Sequence, residues 1–180
     1  MRIEVVRAVT AWLKDDTYGY AAKLAALPLD GSDSRPTTVA DASIVNECDD
    51  ANAAFHRFDG LTLPALIVSV VGDIEHLEPN QPQTGERADA YVTVQVRYAE
   101  KTGASATAIV NGTYAIRAVI ASLRELHANA NAASRTRNSV RLVSCESLSE
   151  QGVYEEVEDT WLLAAVQLKY WVSTLLPLGA

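Results

Sequence analysis

Cysteine and histidine are scarce in this sequence, and their scarcity excludes most ways of building a metal site. Cys48 and Cys145 are the only cysteines. They lie far apart and in no CxxC pattern, which excludes a dithiol redox motif and predicts two reduced, buried thiols. His56, His76 and His127 form no HxH, HExxH or mixed Cys/His spacing. His56 with Asp49, Asp50 and Asp59 is the nearest approach to a hard-metal set, and Glu75-His76 the nearest to a general base. Neither is joined by a nucleophile or an orienting partner, so both read as surface residues. GxGxxG, the P-loop and GxSxG are all missing, which leaves nucleotide binding and a hydrolase elbow without support. Val71-Gly72-Asp73 reads as a plain turn. The sequence therefore assigns no catalytic residue, no cofactor-binding residue and no metal ligand.

Long apolar runs and excess positive charge are missing too. The longest apolar run, Leu66 to Val71, is interrupted by Ser69 and falls short of the roughly 18 residues that cross a bilayer. Glu4 and Arg7 break up the apolar N-terminus, which does not read as a signal peptide and predicts a protein kept in a cytoplasm. Asn111-Gly112-Thr113 matches a glycosylation sequon but falls inside a predicted helix. The formal charge of −8 excludes a sequence-wide basic footprint for nucleic acid. The acid is uneven: Asp41, Glu47, Asp49 and Asp50 form one cluster, and Glu155, Glu156, Glu158 and Asp159 another. Arg117, Arg124, Arg135, Arg137 and Arg141 make a basic stretch against them. These read as solvated surface or as complementary faces of a head-to-tail assembly.

What is present in strength is periodicity. Ala90, Val92, Val94, Val96 and Tyr98 alternate with Tyr91, Thr93, Gln95 and Arg97, the period of a strand with one buried face. Ile109, Gly112, Ile116, Val119, Ile120 and Leu123 then repeat at helical spacing, a stripe that packs on a sheet. Leu162, Ala164, Val166, Leu168 and Tyr170 mark a last strand whose other face carries Trp161, Gln167, Lys169 and Trp171. Val5, Ala8, Val9, Trp12 and Leu13 predict a first helix, and Asp16 or Thr17 a cap for a second, ending near Leu27. Residues 38–55 carry helical steps, with a short strand at Ser43-Ile44-Val45 as the alternative. Leu63 to Val71 and Val140 to Glu146 read as strands, 78–87 as an exposed loop and 147–152 as a turn.

At 180 residues the chain fits one domain, 1–180. Within it lie N-terminal helices (1–27), a variable segment (29–62) and a sheet-plus-helix core (63–172). Strands joined mostly without helical crossovers predict an α+β fold: an antiparallel or mixed sheet of about four to six strands with helices on one face.

The succession of the N-terminal helix, Leu63–Val71, Tyr91–Val96, Ala115–Leu123 and Trp161–Tyr170 resembles the tail terminator and tail-completion proteins of long-tailed bacteriophages, of the lambda U-protein type. The resemblance spans residues 60–172 and is one of element order. The Asp/Ala-rich segment around 29–59 departs from a minimal member. The resemblance implies a structural protein of the virion with no active site, assembled in the host cytoplasm. It would form a homohexameric ring at the head-proximal end of the tail tube. There it would end polymerisation of the tail tube protein and dock to the head–tail connector protein, while DNA passes through the lumen without specific binding. Loops 78–87 and 147–159 would meet tube or connector. Another neck, head–tail joining or tube protein is the alternative. A small-molecule enzyme or binding module is the third reading, and it predicts a monomer or dimer with a closed apolar pocket.

Overall fold

The computed structural model describes residues 2–54, 60–76, 87–101, 106–128, 136–137, 140–151, 155–157 and 160–175, with the strands between 136 and 164 given by their backbone. Helix α1 (Arg2–Leu13) buries Val5, Val6, Ala8, Val9, Trp12 and Leu13, the predicted stripe widened by Val6. Asp15 then turns the chain, its Oδ1 accepting the N–H groups of Thr17 and Tyr18, both at 2.9 Å. With those amides held from upstream, helix α2 (Tyr20–Ala26) begins at Gly19 and not at Asp16 or Thr17. Gly19 passes so close to the preceding turn that a Cβ there would collide with the Asp15 carbonyl oxygen. Arg35 reaches back to the C-terminus of α2, donating to the carbonyls of Leu24 and Leu27.

Segment 38–55 is not the single helix its spacing predicts; the alternative, a short strand, is present one residue further on. It divides into a 3-10 turn (Asp41–Ser43), strand β1 (Ile44–Asn46) and the one-turn helix α3 (Ala51–Ala54). The cause is local competition for the backbone. Asn46 Oδ1 accepts the N–H groups of Cys48 and Asp49, each at 3.0 Å. Asp50 Oδ1 accepts those of Asn52 and Ala53 at 2.8 and 3.1 Å, and so starts α3. Phe55, His56, Phe58 and Asp59 lie outside the described residues.

The remaining elements are β2 (Ala65–Val70), β3 (Glu75–His76), β4 (Arg87–Lys101), α4 (Ala106–Ala128), β5 (Thr136–Arg137), β6 (Val140–Gln151), β7 (Glu155–Val157) and β8 (Thr160–Leu175). The main path of the sheet runs β1-β2-β4-β8-β6-β5, with β3 beside β4 and β7 beside β8. Only the β1–β2 pair is parallel among the described strands. The α+β class and the mixed sheet are thus as predicted, with six strands on the main path. Boundaries differ in three places: Arg87, placed in the loop 78–87, opens β4, and within the loop 147–159 Glu155–Val157 form β7. Ser147–Gln151, read as part of a turn from its serines and glutamates, continues β6, because its backbone pairs with β8 as far as Gln151↔Ala165. The ladder absorbs this through register shifts at Leu142/Ser144 and Ser147/Ser149.

The core lies between one face of the sheet and helices α1, α2 and α4. Ala90, Val92, Val94, Val96 and Tyr98 of β4 are buried there, as are Val166, Leu168, Tyr170 and Val172 of β8. Helix α4 supplies Tyr114, Ile116, Val119, Leu123 and Leu126. Each large aliphatic or aromatic side chain so buried contributes roughly 1.5–3 kcal/mol by leaving water. Across the sheet, Ala53 of α3 packs with Ile67 and Ala99 in a second, small cluster, so α3 does not share the face of the longer helices.

Candidate functional site

Two edges of the sheet and one cleft carry the features on which a function can be built. The cleft, about 430 Å³, is lined by Arg7, Thr10, Ala11 and Lys14 of α1, by Ala42, by all three residues of β1, and by Asp49 and Asp50. Successive side chains of a strand point to opposite faces. A cleft touching Ile44, Val45 and Asn46 therefore runs along the edge of β1 and not over one face.

Its charges are mostly paired from within. Arg7 donates to Asp49 through two nitrogens, Nε to both oxygens at 2.9 and 3.1 Å and Nη2 to Oδ1 at 2.5 Å, a two-pronged contact suited to a guanidinium and a carboxylate. Asn46 Nδ2 adds a third donor to Asp49 at 3.0 Å. These contacts, Arg7 first and Asn46 second, hold the Asp49 carboxyl below the usual carboxylate range, and Asp49 in turn raises Arg7. Asp50 caps α3. Glu47 Oε1 accepts from Arg2 Nε at 2.9 Å and from the Val70 N–H at 3.0 Å. Three members of the first acidic cluster are thus engaged in holding the fold, which the sequence reading of that cluster as solvated surface or assembly face had missed. Lys14 forms no ion pair among the described residues.

The far edge is different. β6 pairs with Ala165–Thr174 of β8, and β7 with Thr160–Leu162 of the same strand, so the two follow one another along one side of β8. β4 occupies the other side. Outside β6, among the described residues, β5 pairs with Val140 and Arg141 alone.

On the second face of the sheet Lys169 Nζ lies 3.0 Å from Glu75 Oε2 and 4.9 Å from the centre of the Tyr91 ring. Tyr91 faces Trp171 in the β4–β8 register. The sequence placed Lys169 and Trp171 together; Glu75 and Tyr91 join them only through strand pairing. His76 falls in β3, and His127 in the last turn of α4. Among the described residues no three His, Cys, Asp or Glu side chains gather as a metal site. Cys48 carries a free, exposed thiol, against the expectation of burial, because the Asx turn at Asn46 lifts it off the sheet. Partial desolvation, then the charges of Glu47 and Asp49, push its pKa up. Of the basic stretch, Arg117 lies 3.5 Å from Asp30 on the surface, and Arg137 and Arg141 fall on β5 and β6. Arg135, Glu158, Asp159 and the loop 78–86 lie outside the described residues.

No protein-family model matches this chain, and no curated protein matches it. No helix among the described residues is long and apolar enough to cross a membrane.

Proposed function

We propose that this protein is a tail terminator of a long-tailed bacteriophage, a ring-forming structural protein that ends the tail tube and docks to the head connector. The observation that carries this reading is the arrangement of the sheet. The segments on which the resemblance rests, in α1, β2, β4, α4 and β8, pack as a single body around one core. Among the described residues that body has two unlike sheet edges, a short one beside a cleft and a long one along β6 and β7. Subunits with two unlike complementary surfaces associate head to tail, and such contacts close into a ring when the rotation permits. The net charge of −8 gives a lumen of such a ring no general attraction for the DNA phosphates passing through it.

The test is removal of the gene from the phage that encodes it. The expected result is headless tails with tubes of irregular, excess length, restored to normal length by supplying the protein in trans. Tails of normal length that still join heads would refute the reading. Complete absence of tubes would instead indicate a tube protein, the neighbouring possibility.

A further inference from the structure

Residues 28–39 lead from α2 toward the 3-10 turn without joining a helix or a strand. Among the described residues their internal backbone hydrogen bond is that of one turn, Asp33 N–H to the Asp30 carbonyl at 3.0 Å. Their hold on the rest of the molecule comes mainly through side chains. The Tyr114 hydroxyl, on α4, accepts the Asp30 N–H at 2.8 Å and donates to Asp33 Oδ2 at 2.9 Å. A phenol hydroxyl both donates and accepts, so one oxygen grips two points of the turn. Arg35 donates to the Leu24 and Leu27 carbonyls at the end of α2. Leu29 packs against the core, partly buried, and Val39 at the far end is buried within it.

Fixing each residue of a chain costs backbone entropy, and contacts must offset it. A helix or strand offsets it with a ladder of hydrogen bonds. Residues 28–39 do so chiefly at Tyr114, at Arg35 and at the two apolar anchors, while Gly31, Ser32, Ser34, Thr37 and Thr38 between them are exposed. Segments with so few buried contacts lie at the low end of local stability and open before the core does. The anchoring residue is of the opposite kind. Tyr114 is 2% exposed and belongs to the core cluster.

We propose that residues 28–39 form a strap that opens and closes as one unit on an otherwise folded subunit, with the Tyr114 hydroxyl as its catch. Closed, the strap seals Leu29 and Val39 against the core; open, it brings both into water. The device stands apart from the ring reading, since it uses neither edge of the sheet.

The experiment is thiol labelling of the full chain in native buffer, on a Cys48→Ser background that removes the exposed thiol. Val39→Cys puts a reporter of similar size at the buried end of the strap, and Val94→Cys, at another buried position, reports opening of the core. Peptide mass spectrometry locates the label. Val39→Cys is expected to label roughly tenfold or more faster than Val94→Cys. Its rate should depend far less on urea, because an opening strap exposes little surface. Tyr114→Phe keeps the ring and removes the catch. It is expected to speed labelling of Val39→Cys by roughly threefold to tenfold, although the catch holds the other end of the strap. Equal rates and equal urea dependence at the two reporters would overturn the strap as a separate unit. A Val39→Cys rate unmoved by Tyr114→Phe would overturn both the catch and the opening as one piece. Should Val94→Cys fail to fold by circular dichroism, Val96→Cys, buried in the same strand, replaces it. Should Val39→Cys fail, cleavage before Asp30 and Asp33 by an aspartate-specific protease carries the test on chains with the native Val39. Faster cleavage in Tyr114→Phe is then expected, and equal cleavage would overturn the proposal.

Discussion

The carboxylate of Glu47 accepts the backbone N–H of Val70, 23 residues further on, at 3.0 Å. Arg2 closes the arrangement, donating to Glu47 Oε1 at 2.9 Å and to the Val70 carbonyl at 3.2 Å. These two side chains thus complete the hydrogen bonding at the point where the β1–β2 ladder stops. This is what fastens a three-residue edge strand to the sheet.

Replacing Glu47 by alanine should therefore cost about 1–3 kcal/mol, the range for leaving a part-buried donor without its acceptor. Urea denaturation would measure it as a lower midpoint at unchanged slope. An unchanged midpoint would mean that the edge strand is held by its three ladder pairs alone.

Asp49 gives the pH dependence its sign. Its pKa is depressed in the folded chain, first by Arg7 and then by Asn46. The stabilisation is thus present above the unfolded value of about 4 and is lost as pH falls below it. The pair is exposed, so the effect is modest and screened by salt. Thermal melts between about pH 3 and 6 should show a smaller acid-side fall for Asp49→Asn than for the wild type. Equal slopes would contradict the pairing.

Tyr20 and Tyr98 act at the other end of the scale. Burial raises both phenols above their ordinary value, and the Glu100 carboxylate, 3.0 Å from the Tyr98 hydroxyl, raises Tyr98 further. A folded pKa above the unfolded one means stability intact below about pH 10 and lost as pH rises through and beyond it. Ultraviolet titration should find these two phenols ionising together with unfolding, while exposed tyrosines titrate earlier. Titration of all seven tyrosines in one step near about pH 10 without unfolding would contradict their burial.

Gly19→Ala tests the turn between the first two helices. The added methyl would meet three backbone atoms, the carbonyl oxygens of Asp15 and Leu13 and the nitrogen of Asp15, and backbone cannot rotate away as a side chain can. The expected loss is about 1–3 kcal/mol, as for overpacked sites. Gly31→Ala makes a control for space, since nothing lies near its Cβ direction and only its positive φ of 57° opposes the change.

The core was legible in the sequence wherever one period ran undisturbed. In β4 every predicted inward residue from Ala90 to Tyr98 is buried, and in α1 the predicted stripe is the buried one. In α4 the buried face is wider than its stripe: Tyr114, Ala115 and Ala118 also lie under the helix, because α2 packs on one side of it and the sheet on the other. Segment 38–55 misleads because Ala40, Ile44, Cys48 and Ala51 keep helical steps, whereas Asn46 and Asp50 take the amides that a helix needs. The cleft was illegible for a different reason. Arg7 and Asp49 are 42 residues apart, and only the folding of β1 against α1 brings them together.

If the protein stops a growing tube, as we propose, tube length is the direct measurement. The tube protein encoded by the same phage would be polymerised with increasing amounts of the purified chain, and lengths read by electron microscopy. The expected result is tubes that shorten as the ratio rises, each with a single ring of added density at one end. Unchanged lengths with bare ends, or incorporation of the chain along the tube wall, would contradict it.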